Sequence, residues 1–187
     1  MTIFDIFAPV YEYLHFGANH TAKQLNSVVT FEPNDNVLDV GGGVGRIAKL
    51  LRPKVKSITV ADASAGMIKK CKENTELSCV LAKAENLPLP DNTFDKIIVV
   101  DAFHHFGDHD KVIEELKRVL KPGGLVILEE FNPATIFGKY IKYGEKILGM
   151  GSHFYKPLDL KKLFDTHGLQ AKLFRETNHT YYLIAKK

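Results

Sequence analysis

Several features that would narrow the class of this protein are scarce or missing in its 187 residues. There is no tryptophan, and the two cysteines, Cys71 and Cys79, lack the spacing of a metal site or a redox motif. We therefore expect two reduced thiols, no metal site and, by default, a cytoplasmic protein. No apolar run approaches the roughly 18 residues that cross a bilayer, and residues 1–16 contain neither lysine nor arginine. We expect neither integral membrane association nor a secretory signal.

An excess of charge is also missing. The 25 lysines and arginines stand against 22 aspartates and glutamates, which leaves a net charge of +3. No basic stripe is present, so we do not expect a nucleic-acid partner. The length suits one well-cored domain, residues 1–187. Nothing in the sequence indicates an oligomeric state.

The strongest signal is a glycine cluster between an apolar run and a helical pattern. Residues 37–40 (Val-Leu-Asp-Val) are typical of a buried strand, and the apolar periodicity of residues 46–51 predicts a helix. The glycines between them, at 41, 42, 43 and 45, allow a tight turn and a close approach of the backbone to a ligand. The N–H groups at the start of the helix favour a carboxylate or a phosphate. This stretch predicts the floor of a nucleotide-type pocket.

The details of the cluster argue against a dinucleotide. The dinucleotide pattern G-x-G-x-x-G needs a third glycine one residue later than Gly45, and Arg46 occupies that place. Asp39 would repel a diphosphate, whereas it would attract a ligand that carries an ammonium group. A nicotinamide-dependent oxidoreductase is therefore a disfavoured hypothesis, and it ranks below the two functions given at the end of this section.

An acidic residue follows the second predicted strand, residues 57–61. Asp62 lies 21 residues after Gly41, a spacing at which a carboxylate can accept both hydroxyls of a ribose. The alternative is that Asp62 caps the helix predicted to begin at Ala65, although Ser64 could serve as that cap.

Four parts of the sequence carry a resemblance to a known family. The string Asp39-Val-Gly-Gly-Gly-Val-Gly-Arg46 resembles the first motif of class I S-adenosylmethionine-dependent methyltransferases. Residues 84–95 (Ala-Glu-Asn-Leu-Pro-Leu-Pro-Asp-Asn-Thr-Phe-Asp), and the His104-His105 pair followed by residues 120–124 (Leu-Lys-Pro-Gly-Gly), are similar to the small-molecule branch of that family. Within it, residues 4–12 resemble the ubiquinone/menaquinone-biosynthesis type. The resemblance covers roughly residues 4–131.

Strands that alternate with helices over residues 37–131 predict an α/β fold with a doubly wound parallel sheet. The resemblance adds a C-terminal antiparallel hairpin at residues 169–185. The expected architecture is the Rossmann-like methyltransferase fold, with a mostly parallel seven-stranded sheet. The resemblance also implies an N-terminal segment, residues 1–30, that covers the cofactor, and a lid over the acceptor at residues 132–168.

The resemblance implies S-adenosylmethionine as cofactor, and it implies which residues contact it. These candidates are Tyr11, Asp39, Gly41, Gly42, Gly43, Gly45, Asp62, Ala63, Met67, Ala84, Glu85 and Asp101. Related sequences usually carry an aspartate at the position of Lys83, where it accepts the adenine amino group. Lys83 can only donate, so either the backbone around Ala84 or the side chain of Glu85 has to recognise the adenine.

Methyl transfer from a sulfonium needs alignment above all, and a base only if the acceptor has to lose a proton. His104 and His105 are the candidate catalytic residues because histidine exchanges protons near neutral pH. At most one of them should face the acceptor, and the alternative for each is a packing histidine. The predicted function is methyl transfer from S-adenosylmethionine to a small-molecule acceptor. The second hypothesis is a non-catalytic protein that binds S-adenosylmethionine or S-adenosylhomocysteine.

Overall fold

A seven-stranded sheet forms the centre of the structure, a computed structural model that describes residues 18–147, 151–176 and 179–187. The strands follow one another across the sheet in the order β3-β2-β1-β4-β5-β7-β6. Their bounds are β1 Asn36–Val40, β2 Ser57–Asp62, β3 Ser78–Leu81, β4 Phe94–Val100, β5 Leu120–Phe131, β6 Gln170–Glu176 and β7 Thr180–Lys186. Strands β1 to β5 pair in parallel, and β7 pairs antiparallel with both β5 and β6. The predicted fold class, including the C-terminal hairpin, is confirmed.

Helices cover both faces of this sheet. They are α1 Ala18–Val28, α2 Arg46–Leu51, α3 Ala65–Cys71, α4 His109–Val119, α5 Ile136–Ile147 and α6 Pro157–Thr166, with short 3-10 turns at Arg52–Lys54 and Phe103–His105. Successive strand residues point to opposite faces. Leu38 and Ile97 accordingly pack with the apolar side of α4 and α6, whereas Val37 and Ile98 pack with α1 and α2.

The chain order places a crevice at the carboxyl end of the central strands. From β1 the chain passes through α2 to β2 on one side, and β4 lies on the other side of β1. Ligands of doubly wound sheets bind where the strand order reverses in this way. The glycine cluster follows β1 and the two histidines follow β4, so the topology brings the two predicted sites together.

The two cysteines depart from expectation. The prediction of reduced thiols is wrong, because Cys71 at the end of α3 and Cys79 in β3 form a disulfide across Cα atoms 6.2 Å apart. Helix α3, which carries Cys71, packs against β3, which carries Cys79. The residues between the two cysteines have no apolar periodicity, so the sequence does not predict this contact. The cytoplasmic location, which we inferred partly from the thiols, remains a prediction. Among the described residues no helix is long and apolar enough to cross a membrane.

Element bounds differ most where glycine and proline cluster. Residues 121–124 (Lys-Pro-Gly-Gly) belong to β5, because α4 ends at Val119 and the extended chain of β5 begins at Leu120. The register between β4 and β5 shifts at Phe94 and Lys96, which accommodates this irregular start. Residues 132–168, the predicted lid, divide in two. Helix α5 carries Glu145 to the crevice, whereas α6 buries Leu160 and Phe164 in the core.

Candidate active site

One cavity of about 790 Å³ lies along the carboxyl ends of the parallel strands. It extends from the loop after β3 to the first residue of β7, and α5 closes one side with Glu145. Its wall includes most of the residues predicted to hold a cofactor, namely Asp39, Gly41, Gly42, Gly43, Asp62, Ala63, Met67, Ala84, Glu85 and Asp101. Of the two candidate catalytic residues, His105 lines the cavity and His104 does not.

The glycine cluster allows its neighbours to pack closely around the backbone. Gly41 has a φ of 73°, and a Cβ there would lie 2.6 Å from the Cβ of Ala102. A Cβ on Gly42 would lie 2.5 Å from the carboxylate of Asp39. Gly45 does not line the cavity, and a Cβ there would lie 2.7 Å from Leu77. Glycine is needed at 41 and 42 for the cavity floor and at 45 for the packing beneath it.

Asp39 is the buried acid of this floor. Its side chain is almost fully enclosed, and Oδ2 has no hydrogen-bond partner among the described residues. Burial, together with the negative charge of Asp62, raises the pKa of Asp39 to about 7, although Arg46 opposes part of this shift. A bound cation would restore the charged carboxylate, since opposite charges favour ionisation. The site suits an ammonium group.

Asp62 ends β2 and contacts the glycine cluster. Its Oδ2 accepts the backbone N–H of Gly43 at 2.9 Å, and its Oδ1 accepts the N–H of Ser64 at 2.8 Å. The cap of α3 is Ser64, whose hydroxyl accepts the N–H of Met67. The carboxylate of Asp62 is therefore fixed on the cavity wall, in a position to accept hydrogen bonds from a ligand.

The loop after β3 forms the far end of the cavity. Ala84 is buried there, and Lys83 is exposed on the wall. Glu85 Oε1 accepts the N–H of Gly107 at 2.8 Å, which joins this loop to the segment that follows the histidines. Glu85 therefore lines the cavity and also holds two segments of its wall together.

Asp101 follows β4 directly and has a positive φ of 51°. Its backbone N–H bonds to the carbonyl of Glu129 at the end of β5, and 48% of its side chain remains exposed on the cavity wall. This backbone turn directs the chain from β4 into the 3-10 turn that carries the histidines.

His104 is buried behind the cavity. Its Nδ1 lies 2.6 Å from Oε2 of Glu130, and its ring stacks on Phe154 with centroids 4.3 Å apart. Burial lowers the pKa of His104, but the charge of Glu130 and its hydrogen bond outweigh burial and raise the pKa to about 10. His104 is thus a positively charged imidazolium at neutral pH, and Glu145 Oε1 lies 3.6 Å from its Nε2.

His105 lies on the cavity wall. Burial and the positive charge of His104 lower its pKa to about 4, so the ring is neutral at physiological pH. Its Nδ1 lies 3.0 Å from the hydroxyl of Ser152, which holds the ring in place. The ligand atoms of His104, His105 and Glu145 lie within 4.8 Å of one another, so this trio also has the residue types and spacing of a metal site.

The sequence analysis missed part of the acceptor side of the wall. Glu129 and Glu130 end β5, Glu145 lies on α5, and Phe106 follows the histidines. Glu129 and Glu130 follow the apolar residues of β5, as Asp101 follows the apolar residues of β4. An acid directly after the apolar residues of a strand is a sequence signal that could have identified both glutamates. Tyr11, a predicted cofactor contact, lies outside the described residues.

Comparisons with known proteins identify the family to which the chain belongs. A family described as a methyltransferase domain matches residues 38–128. A demethylmenaquinone methyltransferase of Thermotoga maritima is 34% identical over 157 residues, which are 76% of this chain and 69% of that protein. A ubiquinone/menaquinone biosynthesis C-methyltransferase of Stenotrophomonas maltophilia is 29% identical over 184 residues, which are 89% of this chain but only 64% of that protein.

Solved structures show the same fold at low identity. A methyltransferase of Haloferax volcanii, solved in complex with the Trm112 methyltransferase activator, has a TM-score of 0.86 at 19% identity and covers 100% of this chain and 98% of its own. An S-adenosylmethionine-dependent methyltransferase of Thermotoga maritima has a TM-score of 0.80 at 21% identity and covers 99% of this chain and 98% of its own.

The doubly wound sheet and the cavity at its switch point define a protein of the Rossmann-like class. Within that class, the chain belongs to the class I S-adenosylmethionine-dependent methyltransferases, and S-adenosylmethionine is its cofactor. The residues present fit this molecule. Asp39 offers an unpaired, buried carboxylate oxygen for its ammonium group, and the close packing around Gly41 and Gly42 leaves no space for a side chain.

Proposed function

We propose that this protein transfers the methyl group of S-adenosylmethionine to a small-molecule acceptor. The observation that carries the proposal is the unpaired Oδ2 of Asp39 beside the glycine cluster, in a cavity that continues past β1 to the ends of β4 and β5. One part of the cavity suits the cofactor, and the remainder is left for a second molecule.

We assign the cofactor contacts along the wall from β1 to β3. Asp39 pairs with the ammonium group, and the backbone of Gly41 to Gly43 lies against the methionine part. Asp62 accepts the ribose hydroxyls. The adenine lies near Ala84, with Glu85 as the nearest acid, while Ala63 and Met67 complete the wall. Tyr11 and the rest of residues 1–30 are proposed to cover the cofactor.

Bound S-adenosylmethionine supplies a methyl group that is already activated by the sulfonium. The protein therefore contributes alignment and the exclusion of water. His104 holds its proton at neutral pH and is buried, so it positions the acceptor end through Glu130 and Glu145 rather than acting as a base. His105 is neutral and lines the cavity, so it is the residue that we propose to accept a proton.

The acceptor is proposed to enter at the ends of β4 and β5, under α5 and residues 151–156. The names of two relatives point to quinone-biosynthesis intermediates as one candidate class of acceptor. A non-catalytic protein that binds S-adenosylmethionine or S-adenosylhomocysteine remains the second candidate, because His105, with its pKa of about 4, is a weak base.

Calorimetric titration with S-adenosylmethionine, S-adenosylhomocysteine and NAD tests the proposal. We expect saturable binding of the two sulfur compounds and none of NAD. Asp39→Asn should weaken binding of S-adenosylhomocysteine about 30-fold, because a charged hydrogen bond contributes about 2 kcal/mol. Glu114→Gln, which removes a charge from an exposed position on α4, is the control and should bind as the wild type does.

The outcomes separate the hypotheses. Binding of NAD in place of the sulfur compounds would contradict the cofactor assignment. Binding of S-adenosylmethionine without formation of S-adenosylhomocysteine from any acceptor in a chemically broad set of small molecules would support the non-catalytic candidate.

A further inference from the structure

Three carboxylates of the described residues have one oxygen without a partner, and they share one location. These buried oxygens are Asp39 Oδ2, Glu129 Oε2 and Glu145 Oε2. Glu145 also interacts with His104 and Ser152, and Glu129 with Tyr182. All three residues line the same cavity. A buried carboxylate oxygen without a partner is unfavourable by more than about 1 kcal/mol, so a cavity that gathers three of them is built for a ligand that donates hydrogen bonds.

These oxygens belong to two ends of the cavity. Asp39 lies in β1, beside the glycine cluster. Glu129 ends β5, and Glu145 reaches the cavity from α5. Asp101, at the end of β4, lies between them, and its backbone bonds to that of Glu129. We call the wall formed by Asp101, Glu129, Glu130 and Glu145 the acidic wall.

Among the described side chains, few positive charges balance the acidic wall. The basic residues that line the cavity with described side chains are Arg46, at the start of α2, and Lys83, after the edge strand β3; both belong to the opposite end. His104 contributes one imidazolium behind the wall, 2.6 Å from Glu130, 3.6 Å from Glu145 and 3.9 Å from Asp101.

The proposed cofactor does not satisfy this wall. It brings one ammonium group, which Asp39 takes, and a sulfonium, which is positively charged but donates no hydrogen bond. Glu129 and Glu145, which carry the remaining unpaired oxygens, line the part of the cavity that we propose for the acceptor. Glu129 is only 9% exposed. Its side chain has a hydrogen bond from Tyr182, and this bond leaves Oε2 without a partner. Burial raises the pKa of Asp101 and of Glu129, so an acceptor that carries a carboxylate or a phosphate would disfavour the charged form of both groups further and would gain no positive partner from this wall.

We propose that the methyl acceptor is an amine, held by its N–H groups against Glu129 and Glu145. This inference rests on the proposed function and specifies its substrate class. A cationic amine suits this wall for two reasons. It donates hydrogen bonds to the unpaired oxygens, and its positive charge balances the negative charge of the carboxylates. A quinol ring, the acceptor class that the relatives' names suggest, offers no positive charge.

The transfer step balances without another reactant. The amine first loses one proton, and its nitrogen lone pair then forms the new bond to the methyl carbon. The bond between that carbon and sulfur breaks, and sulfur keeps the electron pair, so that S-adenosylhomocysteine and a methylated ammonium ion leave. The proton released before attack passes to solvent, because His105, with its pKa of about 4, is too weak a base to take it from an ammonium group. The acidic wall holds the nitrogen in line during this exchange.

Matched sets of three ligands test the proposal. Each set shares one carbon skeleton and differs in one group: benzylamine, benzyl alcohol and benzoate; then the same series on 2-phenylethyl and on cyclohexylmethyl. The rings suit a cavity that Phe106 and Phe131 also line. Affinities are measured calorimetrically on the protein saturated with S-adenosylhomocysteine, and menadiol is titrated alongside as a small quinol. The same titrations in chelator exclude binding through a metal ion.

We expect an amine to bind at least about tenfold more tightly than its alcohol in one or more sets, and the carboxylates not to bind. Glu129→Gln and Glu145→Gln, measured separately, should each reduce that preference about threefold or more, whereas Glu114→Gln should leave it unchanged. Circular dichroism confirms that each variant is folded, and the wild-type comparison does not depend on the variants.

Alcohols or menadiol that bind as tightly as the amines would overturn the proposal, and so would an amine preference that survives both substitutions. Neither result would affect the proposed function, which is tested separately by the binding of S-adenosylhomocysteine and by the formation of that compound from S-adenosylmethionine. If that compound fails to bind, the proposed function fails. The three-ligand series on the free protein then still decides whether the acidic wall prefers amines.

Discussion

The acidic side chains at the two ends of the cavity are held in place by different kinds of contact. At the cofactor end, backbone groups hold the acids: Asp62 accepts the N–H groups of Gly43 and Ser64, and the glycines pack against their neighbours without side chains. At the acceptor end, side chains hold one another, with His104 between Glu130 and Glu145. Backbone groups cannot be exchanged by mutation, whereas side-chain pairs can. We therefore expect the two ends to respond differently to substitution.

The largest effect should come from the partner of the buried imidazolium. Glu130→Gln removes the nearest charged partner of His104, with Glu145 left at 3.6 Å, and weakens the hydrogen bond from the N–H of Phe103. We expect the free energy of unfolding to fall by about 3 kcal/mol, because the removal of one partner from a buried ion pair is strongly destabilising. Urea denaturation measures this loss. Binding of S-adenosylhomocysteine by the folded fraction should change by less than about threefold, since the cofactor end is separate.

Glu114→Gln serves as the control for that substitution and should stay within about 0.5 kcal/mol of the wild type. A loss below about 1 kcal/mol in Glu130→Gln would mean that the acceptor end does not depend on this ion pair.

Gly42→Ala should break the cofactor end instead. A Cβ at this position would lie 2.5 Å from the carboxylate of Asp39, and the carboxylate has to move out of its place. We expect binding of S-adenosylhomocysteine to weaken about 30-fold, or about 2 kcal/mol, as measured by calorimetry.

Gly144→Ala is the matched control, because nothing lies within 4 Å of a Cβ added there, in α5. It should bind normally and gain up to about 1 kcal/mol of stability from its helical position. Equal binding by the two variants would contradict the role given to Gly42.

The protonation of Asp39 should make cofactor binding depend on pH. The pKa of this carboxyl is about 7 in the empty cavity, and a bound ammonium group lowers it, so binding releases a proton. The affinity should therefore fall as the pH decreases, by about fivefold from pH 7 to pH 6. Calorimetry in two buffers of different ionisation enthalpy measures the released proton. In Asp39→Asn the affinity should be flat over this range, and a slope that persists there would assign the proton to another group.

The smallest effect is a gain. Lys83 is exposed on the wall where related sequences usually carry an aspartate, so Lys83→Asp should add an acceptor for the adenine amino group. We expect S-adenosylhomocysteine to bind about threefold more tightly. Lys69→Asp, an exposed position on α3, gives the same charge change away from the loop after β3. An equal gain in both variants would show that general electrostatics, rather than this contact, is responsible.

Sequence patterns predicted the central part of the molecule well, because local rules determine it. Apolar runs predicted the strands. The glycines together with Asp39 predicted a pocket, and the structure has a cavity that these residues line. The histidine pair shows the limit. His104 is buried and His105 lines the cavity because residues 103–105 form a 3-10 turn, which two adjacent histidines do not reveal. Glu145 and the Cys71–Cys79 disulfide depend on how helices pack, and no local pattern encodes that contact.

The end of β5 marks a boundary in the chain. The family match stops at Leu128, so it contains every described residue assigned to the cofactor and excludes Glu129, Glu130 and Glu145. Under the two proposals above, the donor contacts and the two glutamates that would hold the amine therefore lie on separate stretches of sequence, whereas Asp101 and His105 lie within the matched range. Exchange of residues 129–147 should then change the acceptor and leave the donor contacts in place.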